Sequence, residues 1–196
     1  MNRKLTHRKK EDGFTLVEIA IVMVIIGLLI GGVLKGQAMI QNAKVKRVVK
    51  QADEVRAAVM TFYDKYGVYP GDENKAAIPP TPSGGTADGS GDGDGQIEAA
   101  EQYDMFLDLQ NAGLLSGSFN GTSDRPNHAF GDNLTMYWVD PGPGTAKHNF
   151  IFYNLPAEVC QEIDIKYDDG DRSSGTITAN ADYTPGNTIA NFYMQF

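Results

Sequence analysis

From Phe14 to Leu34 the chain runs for 21 residues with one charge, Glu18, and from Ile19 to Ile30 no polar side chain interrupts it. A helix of about 20 apolar residues crosses the hydrocarbon core of a bilayer. Whatever else the chain forms must therefore hang from, or be released from, a membrane-length apolar segment. The charge around this segment is lopsided. Residues 1–13 hold Arg3, Lys4, Arg8, Lys9 and Lys10 against Glu11 and Asp12, a net of +3, whereas the whole chain carries −8. A basic head before the span and an acidic body after it place the head inside and the body outside. A cleaved secretory signal has an apolar region of roughly 7–15 residues ending in small residues. This run is longer, and its helical pattern does not stop where the apolarity does.

Val45, Val48, Val49, Ala52, Val55, Val59, Phe62, Tyr63 and Tyr66 recur at steps of three and four. They predict an apolar stripe on a helix. Lys46, Arg47, Lys50, Glu54, Asp64 and Lys65 fill much of the opposite side, and no proline occurs before Pro70. Gly67 and Pro70 supply the stop. The spacing predicts one helix from about Thr15 to Tyr66, on the order of 75 Å at 1.5 Å per residue. Its first half is apolar all round and its second half is amphipathic.

A carboxylate in such a span costs roughly 2.5–3.5 kcal/mol and marks a functional position by default. Glu18 lies four residues after Phe14. Snorkelling to the interface is the plain alternative. If the chain is cut before Phe14, a cationic amine arises one turn away and can pair with the carboxylate of a neighbouring helix.

Gly13-Phe14-Thr15-Leu16-Val17-Glu18, with the basic leader before it and the apolar run after it, resembles the processing motif of type IV prepilins and type II secretion pseudopilins. The likeness is close over 8–36 and looser to Tyr66. It implies an α+β, pilin-like fold: a long N-terminal helix packed on a C-terminal antiparallel sheet. It implies a cleaved leader (1–13), a helix (14–66, in the membrane over about 14–35) and a globular domain (67–196). It also implies cleavage after Gly13 by a prepilin peptidase, N-methylation of Phe14, and pairing of Glu18 with the Phe14 amine of an adjacent subunit. The partners so implied are other copies of the chain, the peptidase, an inner-membrane assembly platform, and membrane lipid before assembly. The location is the inner membrane first, then an extracellular or periplasmic filament. Many major pilins have a helix-kinking proline near Lys35; here Gly27, Gly31, Gly32 and Gly36 stand in that stretch. Each glycine weakens a helix by about 1 kcal/mol relative to alanine, which permits local melting. The same residues permit close helix packing, or reflect only the frequency of small residues in membrane helices.

Beyond Gly67, Gly, Pro, Ser and Asp dominate up to Ile97 and read as surface connections. Glu98 to about Asn111 reads as a second helix. Strands are expected at Leu134–Val139, Asn149–Asn154, Thr176–Thr178 and Ile189–Phe196. Pro156 opens either a helix with Leu155, Val159, Cys160, Ile163 and Tyr167 on one face or a strand through Ile163, Ile165 and Tyr167.

Ser90-Gly91-Asp92-Gly93-Asp94-Gly95-Gln96-Ile97-Glu98-Ala99-Ala100-Glu101 matches the calcium loop of an EF-hand in part. Asp92 and Asp94 take the third and fifth places, Gly95 the sixth, the Gln96 carbonyl the seventh and Glu101 the twelfth. Ser90 stands where an aspartate belongs, with Asp88 or water as substitutes, and no helix precedes the loop. The loop reads either as a calcium site or as a solvated acidic turn. Asp168, Asp169 and Asp171 form a second acidic loop whose spacing fits no template.

The chain has no phosphate loop, no H-E-x-x-H helix and no G-x-S-x-G elbow, so the expected role is not enzymatic. The acidic balance argues against direct nucleic-acid binding. One cysteine, Cys160, excludes an internal disulfide and a multi-cysteine zinc site; it is expected to pack rather than react. Trp138 is expected in the core, and His128 and His148 at the surface. The expected function is a type IV pilus-like filament subunit, with a secretion pseudopilin as the alternative. A monomeric, membrane-anchored calcium-dependent binding domain is the alternative from another class.

Overall fold

A computed structural model describes residues 13–74, 78–82, 91–142 and 146–196. The chain divides into two compact units, Met1–Asn42 and Ala43–Phe196. The division falls within helix α1, Leu16–Tyr66, and follows the change in its surface.

In the first unit the helix exposes essentially every side chain it has, from Leu16 at 91% to Ile26 at 45%. It is helical through Gly27, Gly31, Gly32 and Gly36. A Cβ added at any of the four meets nothing within 4 Å.

The second unit begins where the stripe begins. Val45, Val48, Ala52, Val55, Ala58, Val59 and Phe62 are buried, at the three- and four-residue steps of a helix face. Tyr63, counted in that stripe from sequence, is 42% exposed. The helix stops at Gly67, whose φ of +77° is a left-handed cap. Its N–H donates to the Tyr63 carbonyl at 2.8 Å.

Four antiparallel strands, β1 (Leu134–Val139), β2 (Lys147–Pro156), β3 (Ile177–Ala179) and β4 (Thr188–Gln195), form a sheet in the order β1-β2-β4-β3. Alternation sends Leu134, Met136, Phe150, Phe152, Phe192 and Met194 inward, and they share one core with the α1 stripe. This is the α+β, pilin-like arrangement the sequence led us to expect. Helix α2, Asp104–Asn111, adds Met105, Phe106, Leu107 and Leu109 to that core.

Helix α3, Ala157–Tyr167, settles the helix-or-strand choice after Pro156. Val159, Cys160 and Ile163 are buried as expected, but Tyr167 is 46% exposed. Asp164 takes an inward place instead and accepts a hydrogen bond from the Tyr183 hydroxyl at 2.8 Å.

Three other expectations are overturned. The second helix starts at Asp104, not Glu98. The backbone before it is committed elsewhere: Ile97 donates to His148 Nε2 at 2.8 Å, and its carbonyl accepts from Trp138 N at 2.6 Å. That segment lies against the free edge of β1 and blunts it. Trp138 is 38% exposed. It shares the inward register of Leu134 and Met136 but sits near the end of its strand. His128 and His148 are buried, at 4% and 6% exposure. His148 alternates with Phe150 and Phe152 on the inward face of β2, amid the rings of Tyr69, Trp138 and Phe196.

Candidate functional site

The first candidate site is the start of α1. Gly13 and Phe14 precede the helix, outside regular secondary structure, and both are exposed. A peptide bond in that setting is open to a protease. The leader residues 1–12, His7 among them, lie outside the described residues. Thr15 and Glu18 close the first turn reciprocally. The Glu18 carboxylate accepts from Thr15 N–H and from Thr15 Oγ1, both at 2.8 Å, and Thr15 Oγ1 accepts from Glu18 N–H at 3.2 Å. This is a capping box, which satisfies two of the amides that a helix start leaves open. The role of Thr15 was missed from sequence, although T-x-x-E before an apolar run is a signature of that motif. Within this chain Glu18 is thus held by its own helix through one oxygen, and a cationic amine can meet the carboxylate at the other.

The second candidate is the acidic loop. Ser90 and Asp88 lie outside the described residues. Asp92 and Asp94 do converge, and the third member of their group is Asp72, which the sequence reading did not include. The three carboxylates each place an oxygen within 4.8 Å of the others. Asp72 is 1% exposed and accepts from three successive loop amides, those of Gly93, Asp94 and Gly95, at 3.0 to 3.1 Å. It folds the loop around itself from 18 residues before Ser90, in place of the missing first aspartate. Burial pushes its carboxyl upward, and Asp94 adds to that shift.

Glu101 is outside the three-carboxylate group. One of its oxygens accepts from Glu98 N–H at 2.8 Å, closing the turn before α2. Its carboxyl is also raised by burial, with Asp72 and Asp92 contributing. A Cβ on Gly91 would come within 2.5 Å of Asp72 Cα and of the Gly71 carbonyl oxygen, and 2.6 Å of the other Glu101 oxygen, so that position admits only glycine. The Asp94 carboxylate accepts from Gln96 N–H and from Gln96 Nε2 at 2.8 and 2.9 Å. Ile97, the eighth place of the loop, is fully buried.

In the other acidic loop Asp164, Asp168 and Asp169 converge. Asp171 turns away to accept from Ser173. Asp168 accepts from the amides of Thr176 and Ile177, so it closes the connection into β3. Cys160 is buried and its thiol is pushed up by desolvation, which suits packing and not nucleophilic chemistry.

The class defined by these features is an α+β domain borne on an N-terminal helix long and apolar enough to cross a membrane. Residues 8–34 match the family described as the Prokaryotic N-terminal methylation motif, the prepilin-type signal of type IV pilins and pseudopilins. Comparison with curated proteins and with solved structures returns no match.

Proposed function

We propose that this chain is a structural subunit of a type IV pilus-like filament. The observation that carries the reading is the prepilin-type signal joined to a helix whose apolar half has no partner among the described residues of its own unit. Cleavage after Gly13 gives Phe14 a new amine, which becomes N-methylated. In the filament the Phe14 amine of one copy meets Glu18 of the next, and the apolar halves bundle. Prepilin peptidase and an inner-membrane platform are the partners this route requires, and the exposed filament is the destination. A short secretion pseudopilus is built by the same chemistry and is the second reading within it.

The intact mass of protein from the native host tests this. The expected product lacks residues 1–13 and carries one added methyl; an unprocessed N-terminus overturns the reading. Glu18→Ala is expected to abolish assembly while leaving membrane insertion intact. An anchored monomer would keep its location and activity with that substitution.

We further propose calcium as the ligand of the Asp72, Asp92 and Asp94 group. Its donors are hard oxygens, the set that calcium prefers. A bound cation would also oppose the upward shift that burial gives Asp72 and Glu101. The chain in detergent is expected to melt several degrees higher in millimolar calcium than in chelator. Asp72→Asn should remove that difference as fully as Asp94→Ala does. Equal melting in calcium and chelator overturns the calcium reading.

A further inference from the structure

Charge is segregated along the chain beyond the span. Residues 19–52 contain five basic side chains and no acidic one, whereas 53–196 contain seven basic against 22 acidic. Four of the five, Lys44, Lys46, Arg47 and Lys50, lie in the first turns of α1 within the second unit. There Val45 and Val48 face the core and the basic residues are exposed. Lys50 pairs with Glu54 at 3.0 Å. Among the described residues Lys44, Lys46 and Arg47 enter no ion pair; Lys44 only rests over the Phe130 ring.

The opposite sign gathers at the other end of the same stretch of helix. Asp64 is exposed in the last turn of α1, beside exposed Lys65. Tyr63 beside it stacks on Tyr69, Tyr69 stacks on His148, and His148 accepts from the Ile97 amide. This chain of contacts brings exposed Asp94 and Glu98 to the Asp64 end. Lys46 and Asp64 are 18 residues apart on one helix, about 27 Å. The two charged ends of a copy therefore cannot satisfy each other.

Opposite and separated ends on one body are what a heterologous contact between identical copies uses. Such a contact leaves a free end at each addition and gives an open polymer. We propose that the helix face bearing Lys46 and Arg47 docks on the acidic end of a second copy, at Asp64 and Glu98. This rests on the filament reading and adds to it a contact outside the membrane, distinct from the Phe14–Glu18 pair. The contact sets the direction in which copies stack and makes assembly sensitive to salt.

A zero-length carbodiimide cross-link between amine and carboxylate, applied to filaments of the full chain and mapped by mass spectrometry, tests it. The Lys50–Glu54 bond is the internal control. The expected product joins Lys46 to Asp64 or Glu98, and a single copy cannot join Lys46 to its own Asp64 at the helix distance above. Lys46→Glu with Arg47→Glu is expected to cut filament yield at least tenfold while membrane insertion and thermal melting hold. Those products missing from a map that contains Lys50–Glu54 overturn the inference. Undiminished filaments from the double reversal overturn it as well. Glu18→Ala run in parallel separates the two proposals. Loss of filaments there beside an empty cross-link map overturns this contact alone, and a chain that forms no filaments in any form overturns both.

Discussion

The two halves of α1 have nearly the same backbone and opposite surfaces. From Ala43 to Tyr66 seven side chains are buried against the sheet and α2. From Leu16 to Leu34 the large apolar side chains are exposed, most of them by half or more. The lower half finds its partner within its own unit, so its contribution to stability is intramolecular. The upper half has none there, so lipid or other chains must supply one. Identical helical periodicity therefore serves folding in one segment and assembly in the other. What separates them is whether polar residues break the apolar surface into a stripe.

The largest test of this contrast is a pair of truncations. Phe62 is fully buried in the core, and deleting such a ring costs about 3–5 kcal/mol. Phe62→Ala should lower the melting temperature of the chain in detergent by ten degrees or more. Ile25→Ala removes a side chain that is 51% exposed and should leave that transition in place. A comparable loss from Ile25→Ala would show that the first unit shares the fold of the second.

The next test asks what holds the acidic loop to the domain. Burial pushes the His148 imidazole down to about 4, against roughly 6.5 for an unfolded chain. Its Nε2 must be unprotonated to accept from Ile97. The unfolded state therefore binds the extra proton first as pH falls. The stability due to neutral His148 is complete above pH ~6.5 and lost as pH falls toward about 4. His128, also lowered by burial, acts with the same sign. Asp72, Glu101 and Asp164 are raised and act against it, since the native state takes up their protons first. His148→Gln keeps an acceptor for the Ile97 amide without the titration. Its stability should fall less between pH 7 and pH 4.5 than that of the parent, by denaturant unfolding. Parallel pH profiles would remove His148 from this role.

How much of this was legible depended on how local the cause was. The span of α1, β1, β2 and α3 could be read because periodicity and turn residues act over a few positions. Glu98–Tyr103 misled because its residues favour helix, while a distant strand edge had already claimed the backbone of Ile97. Asp72 offered no sign of its place. It follows the helix stop in a Gly-Asp-Glu step, and only the fold brings it to Asp92 and Asp94. His148 was readable in principle, being two and four residues before Phe150 and Phe152 on an alternating strand. The prior that lone histidines are exposed outweighed that pattern.

The smallest expected effect lies at the start of the exposed half. Thr15 caps α1 through Glu18, and replacing such a cap by alanine costs about 0.5–2 kcal/mol. Very little of that reaches the domain, because the first turn of α1 buries nothing. Thr15→Ala should therefore leave the main melting transition unchanged. It should speed hydrogen exchange of the first-turn amides in micelles about fivefold, the factor that corresponds to roughly 1 kcal/mol. The same substitution removes the bond that Thr15 Oγ1 donates to the Glu18 carboxylate and the one it accepts from Glu18 N–H, while the backbone N–H of residue 15 still donates to that carboxylate. In the processed chain the cap uses one oxygen of that carboxylate, and the other can meet the amine of a neighbour. A Thr15→Ala subunit should thus frayed-end its own helix yet assemble at least as readily as the parent. Filament yield falling with Thr15→Ala would instead make the capping box part of the assembled state, and the two halves of α1 would then share a requirement for order before they meet a partner.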